Sequence, residues 1–297
     1  MYREYNFDTR YSSYSRGGNL EREKDTKIII NNEKIILKEI DIKTETIKTG
    51  LLNNAEKSKT QAKGKNGCGK STLLNLIAGI NKPSSGYIFI DGIDIFKRKN
   101  LRKEVGIVFQ NPDSQILFPK VSDDIEFALK NLKLENKNER IKNALKKVNL
   151  SDKEKNDTYN LSLGQKQRVN IASVLAINPN YILLDEPTTM IDSKEKNNVY
   201  KIMKQLKKDR KTIIFVTNNI NEILLADRIL ILENKIIKHI IKKNELLENI
   251  QVLQECDIII PDVIQIILKL NESGKSINLE EWTINEMIDE IVKVCNS

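Results

Sequence analysis

Gly64-Lys65-Asn66-Gly67-Cys68-Gly69-Lys70-Ser71 is the stretch on which the fold turns. It satisfies G-x-x-x-x-G-K-[ST] at every fixed position. Glycines let successive backbone N–H groups turn inward around phosphate oxygens, and a helix starting near Lys70 would aim the positive end of its dipole at the same anion. Lys70 can then reach the β- and γ-phosphates, and the Ser71 hydroxyl can bind Mg²⁺. The expected phosphate cradle comprises Gly64, Asn66, Gly67, Cys68, Gly69, Lys70, Ser71 and Thr72.

A second motif lies downstream. Tyr181-Ile182-Leu183-Leu184-Asp185-Glu186-Pro187 is an apolar strand that ends in two carboxylates. Ligands of open α/β sheets bind at the carboxyl ends of strands, which is where both acids fall. Asp185 is suited to hold Mg²⁺, and Glu186 to polarise the attacking water.

Between and around these motifs, continuous Ile/Leu/Val runs alternate with helical patterns. Strands are expected at Lys27–Ile30, Ile35–Ile42, Tyr87–Asp91, Val105–Phe109, Tyr181–Asp185, Thr212–Thr217, Ile229–Leu232 and Ile236–Ile241. Helices are expected at Lys70–Ala78, Ser122–Leu132, Asn138–Val148, Leu163–Ala176 and Ser193–Lys208. Strands buried on both faces read as apolar runs, so the order predicts an α/β fold with a mainly parallel sheet and a helical insert around 122–176. Residues 1–26 are rich in Tyr, Ser, Arg and Gly without period, and are expected to form a flexible arm. Glu245–Leu253, Asp262–Leu270 and Thr283–Val294 read as amphipathic helices, which sets off 242–297 as a small helical appendage to a nucleotide-binding domain at 27–241.

Bulk properties narrow the classes. Hydrophobic residues make up 39% of the 297, enough for a packed core. No apolar run approaches the about 18 residues that cross a bilayer, and the polar N-terminus lacks a signal-peptide core, so a cytosolic position is expected. The net charge of +8 is spread along the chain, which argues for solvated faces and against a nucleic-acid partner. Cys68, Cys256 and Cys295 are too scattered for a disulfide framework or a zinc site.

Leu161-Ser162-Leu163-Gly164-Gln165-Lys166-Gln167-Arg168 resembles the L-S-G-G-Q signature of ABC ATPases, a branch of the P-loop NTPases, and stands in the right order ahead of Asp185. The resemblance implies two nucleotide domains packed head to tail. Ser162, Gly164 and Gln165 would then cap ATP held by the partner's phosphate loop. Gln110, after the strand Val105–Phe109, takes the family's Q-loop position and joins Ser71 and Asp185 as an implied Mg²⁺ ligand. Asp192 takes the D-loop position.

The stretch Val108-Phe109-Gln110-Asn111-Pro112-Asp113-Ser114-Gln115 resembles the F-Q-N-P-D-N-Q segment of energy-coupling-factor and cobalt-type importer ATPases. Val121–Phe127 is similar to their V-E-E-D-I-A-F segment, and the tail from Ile260-Pro261 to Ile291 to their C-terminal domain. This implies a peripheral subunit on the cytoplasmic side of the cell membrane. It would be paired with a like or identical ATPase, bound to a transmembrane coupling subunit, and served by a membrane subunit that selects a vitamin or metal ion.

The chain departs from that family at four places. Thr217-Asn218 stands where the family has a T-H pair, and the sole histidine, His239, belongs to a later strand edge. Asn218 therefore inherits the third catalytic position beside Glu186 and Gln110, with hydrolysis expected about 10²–10³ slower at this chain's own phosphate loop. Leu163 replaces a signature glycine. Asn53–Lys63 contains no apolar run able to form the central strand that normally leads into a phosphate loop. Ile30 stands where an aromatic would stack on adenine, leaving Tyr11 or Tyr14 as substitutes. The missing strand and Asn218 together suggest an alternative: a degenerate ATP-binding paralogue with a structural or regulatory role and little hydrolysis.

Overall fold

The computed structural model describes residues 25–30, 33–42, 45–47, 59–63, 69–83, 85–91, 93–233, 236–256, 258–275, 277 and 284–296. In chain order the first elements are β1 (Asp25–Ile30), β2 (Glu33–Ile42), β3 (Glu45–Ile47), β4 (Lys59–Lys63), α1 (Lys70–Ile77), β5 (Ser85–Ile90) and β6 (Ile93–Asp94). Next come α2 (Leu101–Glu104), β7 (Val105–Val108), α3 (Pro112–Gln115), α4 (Val121–Asn131), α5 (Lys137–Lys147), α6 (Leu163–Ile177), β8 (Tyr181–Asp185) and α7 (Ser193–Lys208). The chain continues with β9 (Thr212–Val216), β10 (Arg228–Glu233), β11 (Ile236–Lys242), α8 (Ile250–Glu255), α9 (Asp262–Glu272) and α10 (Ile284–Asn296).

Among the described residues these strands form two sheets. The smaller is antiparallel, in the order β1-β2-β5-β6 with β3 also on β2. The larger runs β11-β10-β4-β9-β8-β7; the steps from β10 to β7 are parallel, and β11 closes one edge antiparallel. His239 lies on that edge strand, opposite Ile231.

Side chains that alternate along a strand face opposite sides of the sheet. Tyr181, Leu183, Ile214, Val216, Leu230 and Leu232 accordingly share one apolar core with Leu73, Leu74, Leu76 and Ile77 of α1. Their neighbours Ile182, Leu184, Ile213, Phe215, Ile229 and Ile231 share the other with α4–α7. Ile264 and Ile267 of α9 and Met287 of α10 belong to that second core too. The sheet is covered on both faces, which is why β8 and β9 read as unbroken apolar runs.

One expectation is overturned. The stretch before Gly64 carries no apolar run, and no central strand was expected there; yet β4, Lys-Thr-Gln-Ala-Lys, lies inside the parallel sheet. It pairs with β9 from Lys59↔Ile213 to Ala62↔Val216 and with β10 from Arg228↔Thr60 to Ile231↔Lys63. Ladder hydrogen bonds use the backbone alone, and two apolar neighbours can hold a polar segment between them, since strand preference depends heavily on context. The chain thus enters the phosphate loop from a strand end. The tail differs in detail: a 3₁₀ turn at Lys243–Glu245 precedes α8, where one helix from Glu245 was expected.

Candidate functional site

The parallel strands deliver their carboxyl ends to one side. Gly69 has φ +100°, a left-handed conformation that costs glycine little, and it leads into α1 at Lys70. Gly64, Asn66, Gly67 and Cys68 lie outside the described residues, as do Tyr11 and Tyr14. The remaining part of the expected cradle is Gly69, Lys70, Ser71 and Thr72, at the head of α1.

β8 ends in the two acids. Asp185 is buried, and its Oδ1 accepts a hydrogen bond from Ser71 Oγ at 3.1 Å. Glu186 follows with φ +43°, a strained backbone for a residue with a Cβ, and its N–H donates to the Val216 carbonyl of β9 at 3.0 Å. That kink takes Glu186 off the strand line. Its Oε2 accepts from Gln110 Nε2 at 3.2 Å and from Thr189 Oγ1 at 2.9 Å, and its Oε1 from Asn218 Nδ2 at 2.5 Å. Asn218, just past β9, accepts from Lys70 Nζ through Oδ1 at 2.9 Å. Lys70, Asn218, Glu186 and Gln110 thus form one chain of hydrogen bonds, with Ser71 and Asp185 alongside.

Asn218 therefore does two jobs at once: it accepts from the ammonium and donates to the carboxylate. A neutral imidazole can do both through its two ring nitrogens. Asparagine here keeps the polarity of the position that the T-H pair would fill.

Ser71, Asp185 and Gln110 offer a hydroxyl, a carboxylate and an amide oxygen. These hard oxygen donors suit Mg²⁺, which takes one or two carboxylates together with nucleotide phosphates. Burial is the largest influence on Asp185 and pushes its carboxyl above the ordinary range; the Ser71 hydroxyl opposes this, Glu186 adds to it and Lys70 opposes it. A desolvated carboxylate at this place gains from an arriving cation, so the residues fit the ion.

A carboxyl with a raised folded pKa binds its proton more tightly when folded than when unfolded. Its ionised form thus costs stability at neutral pH, and the cost fades as pH falls through the folded pKa toward the unfolded value of about 3.9. Asp185→Asn is expected to raise the Tm at pH 7, with a gain that shrinks near about pH 4, and to weaken MgATP binding. Thermal unfolding across pH checks this; a Tm at pH 7 no higher than wild type contradicts it.

Ser162, Gly164 and Gln165 form a separate cluster at the head of α6. Ser162 is its N-cap: Ser162 Oγ accepts from Gln165 N at 3.2 Å, and Gln165 Oε1 accepts from Ser162 N at 3.0 Å. This reciprocal capping box uses the serine oxygen as acceptor and leaves its proton out of the cap. Leu163, in the place of a glycine, is 41% exposed and so meets no packing obstacle.

Gly164 has a structural reason of its own. A Cβ there would stand 2.6 Å from Glu195 Cβ and 2.2 Å from its Cγ. Glu195 cannot easily yield, because Arg168 grips it with Nε at 2.8 Å and Nη2 at 3.1 Å. Gly164→Ala is expected to cost about 1–3 kcal/mol as α6 and α7 are forced apart. Denaturant unfolding measures it; an unchanged midpoint contradicts the packing argument.

α6 is also tied to the segment carrying Gln110. Lys166 Nζ meets Asp113 at 2.7 Å, and Asn170 Nδ2 donates to the Pro112 carbonyl at 3.0 Å. Gln115 turns back on the end of β7, accepting from Phe109 N at 3.0 Å and donating to the Ile107 carbonyl at 3.2 Å. Asp124, in the first turn of α4, accepts from the Leu117 and Phe118 N–H groups at 2.7 and 3.1 Å. Asp192 caps α7 by accepting from Glu195 N at 2.9 Å.

Sequence reading missed Thr189, whose hydroxyl helps fix Glu186. It also missed Glu222, a buried acid and the one charge in the mostly apolar run Ile220–Leu225. A charge inside such a run was the available signal.

No helix among the described residues is long and apolar enough to cross a membrane. Residues 52–189 match the ABC transporter family. The chain is 39% identical over 232 residues to an energy-coupling factor transporter ATP-binding protein EcfA1 of Mycoplasmoides gallisepticum, covering 77% of this chain and 83% of that protein. It is 32% identical to the EcfA1 of Clostridium perfringens, across 90% of this chain and 98% of the relative. Among solved structures it is similar to cbiO1 of Clostridium perfringens, described as part of the ABC transporter complex cbiONQ. That likeness has a TM-score of 0.62 and 33% identity, over 74% of this chain and 90% of the other. A dimeric ATP-binding cassette, MJ0796, bound to ADP and phosphate, matches with TM-score 0.58 and 30% identity, over 74% and 96%. The sheet, the phosphate-loop strand and the paired acids are those of the ABC ATPase fold, and the chain belongs to the ATP-binding proteins of energy-coupling-factor transporters.

Proposed function

We propose that this chain binds MgATP on Lys70 and hydrolyses it to drive uptake of a vitamin or metal ion through a membrane complex. The observation that carries the reading is the convergence of two adjoining hydrogen-bonded sets at the strand ends, the chain Lys70–Asn218–Glu186–Gln110 and the pair Ser71–Asp185. Lys70 meets the phosphate charge. Ser71 and Asp185, with Gln110, would hold Mg²⁺, which neutralises charge on the phosphate oxygens. Glu186 takes the proton of the attacking water; Gln110 and Thr189 keep its carboxylate aimed, and Asn218 donates toward the same place. Ser162, Gly164 and Gln165 serve the ATP of a partner cassette, in a head-to-tail pair. A transmembrane coupling subunit docks near Gln110–Gln115, and a separate membrane subunit selects the cargo. The chain works at the cytoplasmic face of the cell membrane, with 242–297 as a helical appendage to the nucleotide-binding unit.

The alternative of a degenerate partner loses one of its two supports, since β4 supplies the strand ahead of the phosphate loop. What is left of it is Asn218. Because Asn218 already donates to Glu186, Asn218→His is expected to raise hydrolysis only about tenfold, less than a lost donor typically costs. Steady-state phosphate release by the ATPase pair measures it. A gain near 10³-fold would instead favour the degenerate reading.

A further inference from the structure

Behind the hydrolytic cluster lies a further carboxylate, Glu222, with 1% of its surface exposed. Its Oε1 collects three donors: Thr188 Oγ1, Tyr200 OH at 2.7 Å and Asn219 Nδ2 at 3.4 Å. The donors come from three separate segments. Thr188 follows Glu186-Pro187, Asn219 directly follows Asn218, and Tyr200 sits in the middle of α7. Burial first, and then the charge of Glu222, push the Tyr200 phenol up, so it keeps its proton and donates. Asn219 is further engaged: its N–H donates to Thr217 Oγ1 at 2.9 Å and its Oδ1 accepts from Asn221 N at 3.1 Å. Asn218 is thus flanked on both sides by residues locked in place.

We propose that Glu222 is a positioning residue for hydrolysis, tying the loop that carries Asn218 to the turn that carries Glu186 and holding both against α7. An acceptor shared by hydroxyl and amide donors is stronger when ionised, and a satisfied network in a dry interior is rigid. The spacing between Asn218 Nδ2 and Glu186 Oε1 is then set from behind, by a group that touches neither ATP nor water. The role rests on the reading of Glu186 and Asn218 given above.

The test compares the full-length wild type with Glu222→Ala, Glu222→Gln, Tyr200→Phe and Thr188→Val. Two readouts are used: amide hydrogen exchange of peptides covering 186–192 and 217–226, and MgATP turnover alongside MgATP affinity. Glu222→Ala is expected to speed exchange in both peptides about tenfold and to cut turnover about 10–100-fold, with affinity within about threefold of wild type. Glu222→Gln, which keeps an acceptor oxygen, restores most of both. Should the alanine variant fail to fold, Tyr200→Phe and Thr188→Val carry the same comparison with effects of about threefold. Faster exchange confined to 217–226, or turnover unchanged in the folded variants, overturns the proposal. A wild type that neither binds nor hydrolyses MgATP contradicts the proposed function, while the exchange comparison still decides whether Glu222 ties the two segments.

Discussion

Glu186→Gln is expected to slow ATP hydrolysis about 10³-fold, within the range for loss of a positioned general base, while MgATP binding stays near wild type. The carboxylate is 9% exposed and held from three sides, so the substitution removes a base from an already fixed place. The carboxamide fits the same surroundings. One of its atoms becomes a donor, which the Thr189 hydroxyl can turn to accept; the Gln110 amide could flip too, but that would take its oxygen from the Mg²⁺ position, so that contact is the one given up. The Asn218 side chain, also an amide, can reverse in the same way, although it would then turn a donor toward Lys70. The gentler course is therefore for the new amide to keep its oxygen toward Asn218 and its nitrogen toward Thr189. Single-turnover phosphate release separates the chemical step from binding. A loss of less than tenfold would mean that another group activates the water.

Much of this architecture is visible in the chain itself, and the reasons differ from element to element. α7 is readable over its full length, Ser193–Lys208, because Asp192 provides a cap and Val199, Ile202, Met203 and Leu206 recur at helical spacing. β8 and β9 announce themselves as unbroken apolar runs, since both of their faces are covered. β4 gives no such signal. Its place is imposed by β9 and β10, which flank it from distant parts of the chain, so no window of local sequence contains the cause.

The site shows the same division. Lys70, Ser71, Asp185 and Glu186 are legible because phosphate binding and strand-end chemistry are written in short contiguous stretches. Thr189 and Glu222 are not. The Thr188–Glu222 contact spans 34 residues and the Tyr200–Glu222 contact 22, and only the sheet brings the two segments together. Asn218 falls between these cases. Its departure from a T-H pair is plain in the sequence, but that departure alone overstates the defect. The side chain's dual contact to Lys70 and Glu186 emerges only in three dimensions.

The second large effect concerns Lys70, and it bears on whether this chain is a nucleotide-binding motor at all. Lys70 is 6% exposed and stands at the first turn of α1, where on the proposed reading its ammonium would meet phosphate oxygens. Removing it leaves Asp185 and Glu186 without that neighbouring positive charge, so an incoming polyanion faces two uncompensated carboxylates. The most direct measurement is calorimetric titration of MgATP into the full-length wild type and into Lys70→Ala, with thermal unfolding of both to establish that the variant is folded. The account predicts saturable binding by wild type and none by the folded variant over the same range. Equal affinity in the two proteins would contradict it.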